Sequence, residues 1–245
     1  MEGHNPSDFG DRVVLVTGGT RGIGAAIALC FRRANAIVVA AGRADADVRD
    51  PSQVDRLITT VVERHGRLDV VVNNAGGTPY AEAATASPRL HAAVIALNLV
   101  APLHVAQAAN AVMQKQAGGG SIIMIGSVSG TRPSPGTAAY GAAKAGLHHL
   151  ATSLAVEWAP LVRVNSLIVG LVATPAAVEH YGENLEQVSR SIPMGRMATP
   201  DDVAQACLYL ASPQSAYISG ASLAVHGGGE RPAYLAFLNR PEVPS

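Results

Sequence analysis

A glycine-rich turn between a short apolar run and an alanine-rich stretch constrains the fold of this chain more than any other feature. Residues 13–16 read Val-Val-Leu-Val, and residues 17–24 follow as Thr-Gly-Gly-Thr-Arg-Gly-Ile-Gly. Glycine at positions 18, 22 and 24 permits a tight strand-to-helix turn and lets the backbone approach a pyrophosphate, which the free amides of the following helix bind. The turn therefore predicts a dinucleotide site, with an ordinary turn as the alternative if the glycines are taken alone.

Short β-branched runs alternate with longer alanine-rich stretches along the rest of the chain. The predicted strands are residues 13–16, 37–41, 70–73, 121–125, 163–168 and 221–224. Strands that are apolar throughout need helices above and below them, so this alternation predicts an α/β fold of the Rossmann type: a doubly wound parallel sheet with helices on both faces. Asp50 and Thr199 each precede a proline, which is typical of a helix N-cap.

No break in composition divides the 245 residues, and no internal repeat or long linker is present. We therefore expect a single domain over residues 1–245. Its core is predicted at residues 11–229, with tails at residues 1–10 and 230–245.

Charge and cysteine usage exclude several functional classes. Lys plus Arg and Asp plus Glu each total 18, so the neutral chain offers no electrostatic footprint for nucleic acid or an anionic membrane. Cys30 and Cys207 have no partner spacing for a disulfide or a zinc site, which favours a reducing, cytoplasmic location. The N-terminus lacks a signal-peptide pattern, and Asn98, Pro102 and His104 interrupt the longest apolar stretch, so no transmembrane helix is expected.

The tip of the second predicted strand indicates which dinucleotide is bound. An acidic residue at this place binds the ribose 2′-hydroxyl of NAD, whereas here the strand ends in Gly42-Arg43. Arg43, together with Arg21 from the glycine turn, suits a 2′-phosphate, so we expect NADP(H) to be preferred, with NAD(H) possible. The alternative is that Arg43 is an ordinary solvated loop arginine.

Tyr140 and Lys144 are four residues apart in a predicted helix, which places both on one face. The lysine cation is expected to lower the pKa of the phenol and make it a usable acid, with Ser127 in a preceding loop binding a substrate carbonyl. Such a pair alone also occurs on wet helix faces. His148 and His149 follow on this helix, but adjacent helical positions do not face each other, so packing or an interface is expected rather than a metal site.

These motifs, in this order, resemble those of the classical short-chain dehydrogenases/reductases over about residues 11–229. The family's Thr-Gly-x-x-x-Gly-x-Gly matches residues 17–24, and its Asn-Asn-Ala-Gly matches residues 73–76. Its catalytic residues match Asn98, Ser127, Tyr140 and Lys144.

The resemblance implies a role for each of these four residues. Asn98 would bend its helix and hold a water behind Lys144, Ser127 would orient the carbonyl, and Tyr140 would give it a proton. Lys144 would also bind the nicotinamide ribose. The residues assigned to the cofactor by the turn and the family motifs are Gly18, Thr20, Arg21, Gly22, Ile23, Gly24, Arg43, Asp47, Val48, Asn74, Ala75, Gly76, Tyr140, Lys144, Val172 and Thr174. Residues 176–191 correspond to the family's substrate lid.

The chain departs from the family after Arg43. Members usually place a helix and an edge strand before the Asp-Val that lines the adenine, yet only three residues separate Arg43 from Asp47 and Val48. Three residues cannot form a parallel crossover, which needs about a dozen. We therefore expect a six-stranded sheet without the usual third strand and its crossover helix, and a more open adenosine end.

The resemblance is greatest to the 3-oxoacyl-reductase-like members. It implies an NADP(H)-dependent oxidoreductase that transfers hydride between the nicotinamide and a small to medium hydrophobic ketone or secondary alcohol. The alternatives are an NAD-dependent hydroxysteroid or cyclic alcohol dehydrogenase, and a non-catalytic nucleotide-sensing protein. We expect no bound metal, and we expect the protein to form a homodimer or a homotetramer.

Overall fold

The computed structural model describes residues 8–234 and shows, within them, one parallel sheet of six strands. The strands are β1 (Val13–Thr17), β2 (Ile37–Ala41), β3 (Val70–Asn73), β4 (Gly120–Ile125), β5 (Val162–Val169) and β6 (Ser222–Val225). Their order across the sheet is β2-β1-β3-β4-β5-β6. All neighbouring pairs are parallel, so the carboxyl ends of the strands share one edge. The α/β prediction is therefore confirmed.

Helices connect the strands and cover both faces of the sheet. They are α1 (Gly22–Arg33), α2 (Pro51–His65), α3 (Pro88–Ile95), α4 (Ala101–Met113), α5 (Ala138–Glu157), α6 (Pro175–Tyr181), α7 (Leu185–Ser191) and α8 (Pro200–Ala211). Asp50 caps α2 by accepting from the amide of Ser52, and Thr199 and Asp202 form a capping box at α8. Both starts lie where the sequence predicts them, because the cap side chains satisfy amides that lack partners inside the helix.

Two apolar layers hold the helices on the sheet. One packs α2, α4 and α5 against one face, with Ile58, Met113 and Leu147 among its buried members. The other packs α1 and α8 against the opposite face around Phe31 and Leu210. Each strand of the sheet interior is thus covered on both sides, as its continuous apolar sequence requires.

The shortened connection after β2 leaves that strand at the edge of the sheet. Residues 42–46 turn back on themselves, with the amides of Asp45 and Ala46 both donating to the carbonyl of Gly42, and α2 starts at Pro51. No further strand pairs with β2 in the part of the chain described. The predicted six-stranded sheet is found, because the lost strand is an edge strand and its absence breaks no interior pairing.

The packed domain reaches beyond the predicted core of residues 11–229. Phe9 is fully buried and meets Phe31 edge to face, with ring centroids 5.2 Å apart. Glu230 pairs with Arg132, and the amide of Arg231 donates to the carbonyl of Ser191. Phe9, Glu230 and Arg231, which the sequence assigns to the tails, thus contact the domain, and the tail residues 1–7 and 235–245 lie outside the described residues.

One helical stretch is long and apolar enough to cross a membrane by length and composition alone. It runs over Pro88–Met113, with a mean hydropathy of 1.6 in its most apolar window. The helix contains the fully buried Asn98, and α4 packs against β3 and β4 as a core helix does. Core helices of this kind pass the same composition test, so the observation is weak evidence for a membrane span.

Candidate active site

A cleft of about 1070 Å³ opens at the carboxyl edge of the sheet, where the glycine turn and the loops after β2 to β5 meet. Ligands of open α/β sheets bind at this edge. The predicted site residues that line the cleft are Gly18, Thr20, Arg21, Gly22, Ile23, Gly24, Arg43, Asp47, Val48, Asn74, Ala75, Gly76, Ser127, Tyr140, Lys144, Val172 and Thr174. Asn98 does not line it and lies behind the wall.

The glycine turn is packed so tightly at Gly24 that a side chain is excluded there. A Cβ on Gly24 would overlap the carbonyl of Gly18, whereas a Cβ on Gly22 would meet only the methyl of Thr174 at 4.0 Å. Gly18 and Gly22 also have positive φ angles of 62° and 53°. Arg21, the N-cap of α1, makes no side-chain capping bond, so the first amides of α1 stay available to a pyrophosphate.

Thr17 and Asn74 fix the turn to the neighbouring loop. The Thr17 hydroxyl accepts from the amides of Asn74 and Ala75, each at 3.1 Å. In return the Asn74 side-chain amide donates to the carbonyls of Thr17 and Gly18, each at 3.0 Å. The first role of this asparagine in the structure is thus to brace the glycine turn from the side of β3.

The end of the cleft that the sequence assigns to the adenosine carries a group of charges at the surface. Arg43, Asp47 and Arg49 line it together with Val48. Asp47 accepts from Arg49 Nε at 2.9 Å, and this pairing lowers the pKa of Asp47 to about 2. Sequence reasoning missed Arg49, although the signal was available: it is a second arginine just after the shortened turn that replaces the crossover.

Asn98 lies fully buried in a π-helical turn, Ala96–Val100, that joins α3 to α4. Its Oδ1 accepts from the amide of Gly77 at 2.9 Å, and its Nδ2 donates to the carbonyls of Gly77 and Val94, both at 2.9 Å. At the place where the family resemblance implies a bend, the structure has this π turn, a local irregularity common at functional sites. Asn98 thereby ties the helix to the loop that borders the cleft.

Lys144 is almost fully buried, and its ammonium donates to the carbonyl of Ile125 at 2.7 Å. Burial penalises the charged form, which lowers the pKa of Lys144 to about 8. A Cβ added to Gly76 would lie 3.5 Å from this ammonium and 2.8 Å from Asn98 Oδ1. Glycine at position 76 therefore leaves room for Asn98 Oδ1, whereas the distance to Lys144 is an ordinary contact.

Tyr140 and Lys144 lie on α5, and Ser127 lies in the loop after β4. The acidity of Tyr140 differs from the sequence prediction. Burial raises the pKa of Tyr140, and a hydrogen bond with Ser127 opposes that rise. The lysine was expected to lower it, yet the ammonium is 5.5 Å from the ring centroid and is directed at the Ile125 carbonyl. The prediction was wrong because helical spacing places the two residues on one face without fixing where the lysine head points.

The predicted lid, residues 176–191, forms α6, a short 3₁₀ turn and α7. Thr174 caps α6 by accepting from the amide of Ala177 at 3.2 Å. Pro175, Ala177 and Tyr181 turn toward the cleft from this segment. The sequence pattern does not distinguish several glycine or apolar residues that line the cleft from core residues, so sequence reasoning missed them. These residues are Gly77, Leu97, Gly170, Leu171 and Met197.

Neither histidine after Lys144 takes part in a metal cluster. Within residues 8–234 no group of three His, Cys, Asp or Glu side chains is arranged to hold a metal ion. His149 is exposed, whereas His148 contacts the loop of Ser127.

The site and sheet define an oxidoreductase of the Rossmann type that uses a nicotinamide dinucleotide. Comparison with known proteins narrows this class: residues 40–230 match the family model described as Enoyl-(Acyl carrier protein) reductase. The chain belongs to the classical short-chain dehydrogenases/reductases, a family of NAD(P)(H)-dependent oxidoreductases.

Named relatives share most of the length of this chain. It is 34% identical over 239 residues to a 3-oxoacyl-acyl-carrier-protein reductase of Thermotoga maritima, covering 89% of this chain and 97% of that protein. It is 32% identical to an L-rhamnose 1-dehydrogenase (NAD(P)(+)) of Azotobacter vinelandii, covering 89% and 96%. A solved short-chain type dehydrogenase/reductase of Mycobacterium marinum superposes with a TM-score of 0.87 at 29% identity, covering 93% and 99%.

Proposed function

We propose that this protein is an NADP(H)-dependent carbonyl reductase that acts on a neutral, small to medium hydrophobic ketone and, in reverse, on the corresponding secondary alcohol. The observation that carries the proposal is the meeting of Ser127, Tyr140 and Lys144 at one end of the cleft that the glycine turn borders. A nucleotide-sensing protein without turnover would have no need for these three groups in one place.

The residues present fit a dinucleotide phosphate. The first turn of α1 offers free amides to a pyrophosphate, and the space beside Gly22 is open. Arg21, Arg43 and Arg49 line the adenosine half and supply positive charge for a 2′-phosphate. Asp47 would repel that phosphate if it stood alone, but Arg49 pairs with its carboxylate. This balance favours NADP(H) over NAD(H).

When bound, the nicotinamide supplies or accepts the hydride, and the chain's own groups manage position and protons. Ser127 and Tyr140 present two hydroxyls to a substrate carbonyl, Ser127 to orient its oxygen and Tyr140 to donate a proton to it. Burial keeps the proton on Tyr140 until the developing oxyanion takes it. Lys144 places positive charge beside this wall and binds the nicotinamide ribose.

The lining at the nicotinamide end favours a neutral, largely apolar substrate. Among the residues described, Lys144 is the only one with a formal charge at that end. Leu97, Leu171 and Pro175 face the same space. A sugar would need several hydrogen-bonding partners at its hydroxyls, and an apolar wall leaves those hydroxyls unpaired. The acyl chain of a 3-oxoacyl substrate or a simple ketone fits such a wall better.

We further propose a homodimer or homotetramer in the cytoplasm. The outer side of α5 carries small and apolar residues, among them Ala142, Ala145 and the exposed Val156, which suits close packing against a second copy. Both described cysteines are free and buried, which suits a reducing compartment. The mass in solution tests the first statement.

A panel of ketones, assayed separately with NADPH and NADH, tests the proposed function. We expect cofactor oxidation with hydrophobic ketones, faster at limiting NADPH than at limiting NADH, and slow turnover with aldoses. Tyr140→Phe is the control for enzymatic turnover. Binding of NADPH without turnover of any ketone or alcohol in the panel would contradict the proposal, and equal use of both cofactors would contradict the NADP(H) preference.

A further inference from the structure

We propose that His148 is a positioning residue for the proposed reaction: its imidazole holds the backbone of the Ser127 loop and so places the Ser127 hydroxyl. His148 lies one helical turn after Lys144 on α5, half-buried behind the cleft. Its Nε2 is 3.3 Å from the carbonyl oxygen of Ser127, and its Nδ1 is 3.0 Å from Ser166 Oγ.

The contacts assign one tautomer to the ring. The Ser127 carbonyl only accepts, so His148 Nε2 must carry the hydrogen and donate it. Nδ1 of the neutral ring then accepts from the Ser166 hydroxyl, which in turn accepts from Ser222 at 2.8 Å. The order of donation is Ser222 to Ser166 to His148 to Ser127, and it runs from β6 through β5 and α5 to the loop after β4.

Backbone packing shows that the loop is fitted to this ring. A Cβ on Gly126 would overlap His148 Cε1, and a Cβ on Gly130 would lie 3.1 Å from His148 Cδ2. The chain therefore passes on two sides of the imidazole, immediately before and three residues after Ser127. A histidine on a wet helix face would have no such cradle.

Lys144 and His148 act as a pair along the helix. Lys144 donates to the carbonyl of Ile125 at 2.7 Å, and His148, one turn later, donates to the carbonyl of Ser127. The carbonyl of Ile125, at the end of β4, and that of Ser127, in the loop that follows, are thus bound by successive turns of one helix. Tyr140 is on that same helix, so the helix fixes the serine and the tyrosine in one frame. Burial lowers the pKa of His148, the hydrogen bond to the Ser127 carbonyl opposes this in part, and the Lys144 cation lowers the pKa further; the net lowering is consistent with a neutral ring.

The tautomer is tested without any substrate by NMR of the ¹⁵N-labelled protein, with His148→Gln used to assign the ring signals. We expect a neutral ring protonated at Nε2 near pH 7.5, and a shift of the Nδ1 signal in Ser166→Ala. A ring protonated at Nδ1, or freely exchanging between tautomers, overturns the assignment whether or not the protein turns over a ketone. Failure of the proposed function is therefore distinguishable from failure of this inference.

Kinetics test the positioning role with the ketone and NADPH. We expect His148→Leu to lower kcat roughly tenfold with little change in the KM for NADPH, because the loop of Ser127 moves while the dinucleotide site does not. His148→Gln keeps a donor at similar reach and should recover most of kcat. His65→Leu, a histidine of α2 that does not line the cleft, is the control and should behave as the parent.

A merely structural role would give a different pattern. Equal loss in His148→Leu and His148→Gln, in step with a lower unfolding midpoint, contradicts the positioning role, as does a kcat of His148→Leu within twofold of the parent. In a double-mutant comparison, Ser166→Ala should lower kcat less in the His148→Leu background than in the parent. The Ser166 hydroxyl is proposed to act only through the His148 ring, which that background lacks. Fully additive losses in kcat contradict the proposed chain of hydrogen bonds from Ser166 through His148 to Ser127.

Discussion

The two ends of the cleft are built by different physics. At the nicotinamide end Asn98 and Lys144 are buried and each polar group has a backbone partner, so position is fixed by packing and hydrogen bonds. At the adenosine end Arg43, Asp47 and Arg49 stand at the surface near a shortened turn, and the contacts that hold them are those of the Arg49 guanidinium and backbone amide with the Asp47 carboxylate. The comparison shows that side chains at the proposed reaction centre are positioned by buried hydrogen bonds. Side chains at the proposed adenosine site are held by solvent-screened charges.

The same contrast governs the titratable groups. Burial lowers the pKa of Lys144 to about 8, whereas pairing with Arg49 lowers the pKa of Asp47 to about 2. Removing a group from the buried end disturbs neighbours that have no water to replace it. Removing one from the exposed end leaves neighbours that water can solvate. Substitutions at the two ends should therefore differ in kind, and four experiments rank them.

Tyr140→Phe should have the largest effect. Loss of the proton donor is expected to lower kcat by about 10³-fold to 10⁴-fold, because general acid catalysis typically contributes up to that factor. The affinity for NADPH, measured by fluorescence titration, should change by less than about threefold, since the phenol lies at the far end from the adenosine. Tyr217→Phe, at a fully exposed position, is the control. A Tyr140→Phe variant that retains a tenth of parental kcat would refute the assigned role.

Much of this comparison could be predicted from the sequence, because local patterns determine it. Glycine spacing before α1, N-cap residues with a following proline, and continuous apolar strands each specify a local structure, and all three lie where the sequence predicts them. The six-stranded sheet also followed from a length argument, since three residues after Arg43 cannot cross over. The meeting of Ser127, Tyr140 and Lys144 in one cleft agrees with the order of the motifs.

What the sequence could not provide is the direction in which long side chains point. The i, i+4 spacing predicts that Lys144 shares a helix face with Tyr140. It does not predict that the Lys144 ammonium donates to the carbonyl of Ile125. Nor did it distinguish His148, which faces a loop from another part of the chain, from His149 on the outer side. The burial of Phe9 depends likewise on a distant partner, Phe31. Such contacts join residues far apart in the chain, and no local pattern encodes them.

Asn98→Ala and Arg49→Ala should differ in their effect on the free energy of unfolding, because they lie at the buried and the exposed end of the cleft. The Asn98 substitution removes the bond that the buried carbonyl of Val94 accepts from Asn98 Nδ2, and leaving a buried group unsatisfied costs about 1–3 kcal/mol. Chemical denaturation should show a loss of that size, together with a lower kcat. Arg49→Ala at the exposed end should change the free energy of unfolding by less than about 0.5 kcal/mol. Asn110→Ala, on the same helical stretch but with an amide contact to Gln114, is the matched control. Equal stability of Asn98→Ala and the parent would remove the contrast.

Arg43→Ala should act on recognition alone. We expect the KM for NADPH to rise roughly tenfold, since a charge-assisted hydrogen bond contributes about 1.5–3 kcal/mol and solvent weakens it here. The KM for NADH and the kcat with either cofactor should stay within about twofold. Arg64→Ala, an arginine of α2 that does not line the cleft, serves as the control. Equal rises for both cofactors would mean that Arg43 does not read the 2′-phosphate.

The smallest expected effect is a pH dependence that belongs to the buried end only. Native Lys144, with a pKa of about 8, releases its proton at lower pH than it does unfolded, where the pKa is 10.5. Between these values the unfolded chain binds more protons, so stability rises with pH, by about 1 kcal/mol from pH 8 to pH 9 relative to Lys144→Met. Below about pH 7 the two should run parallel, because Lys144 is then almost fully protonated in both states. Lys115→Met, at an exposed lysine, should keep the parental slope, and Asp47 contributes nothing in this window because its pKa is about 2. A parental slope in Lys144→Met would place the titrating group elsewhere and would remove the buried ammonium from the explanation of the nicotinamide end.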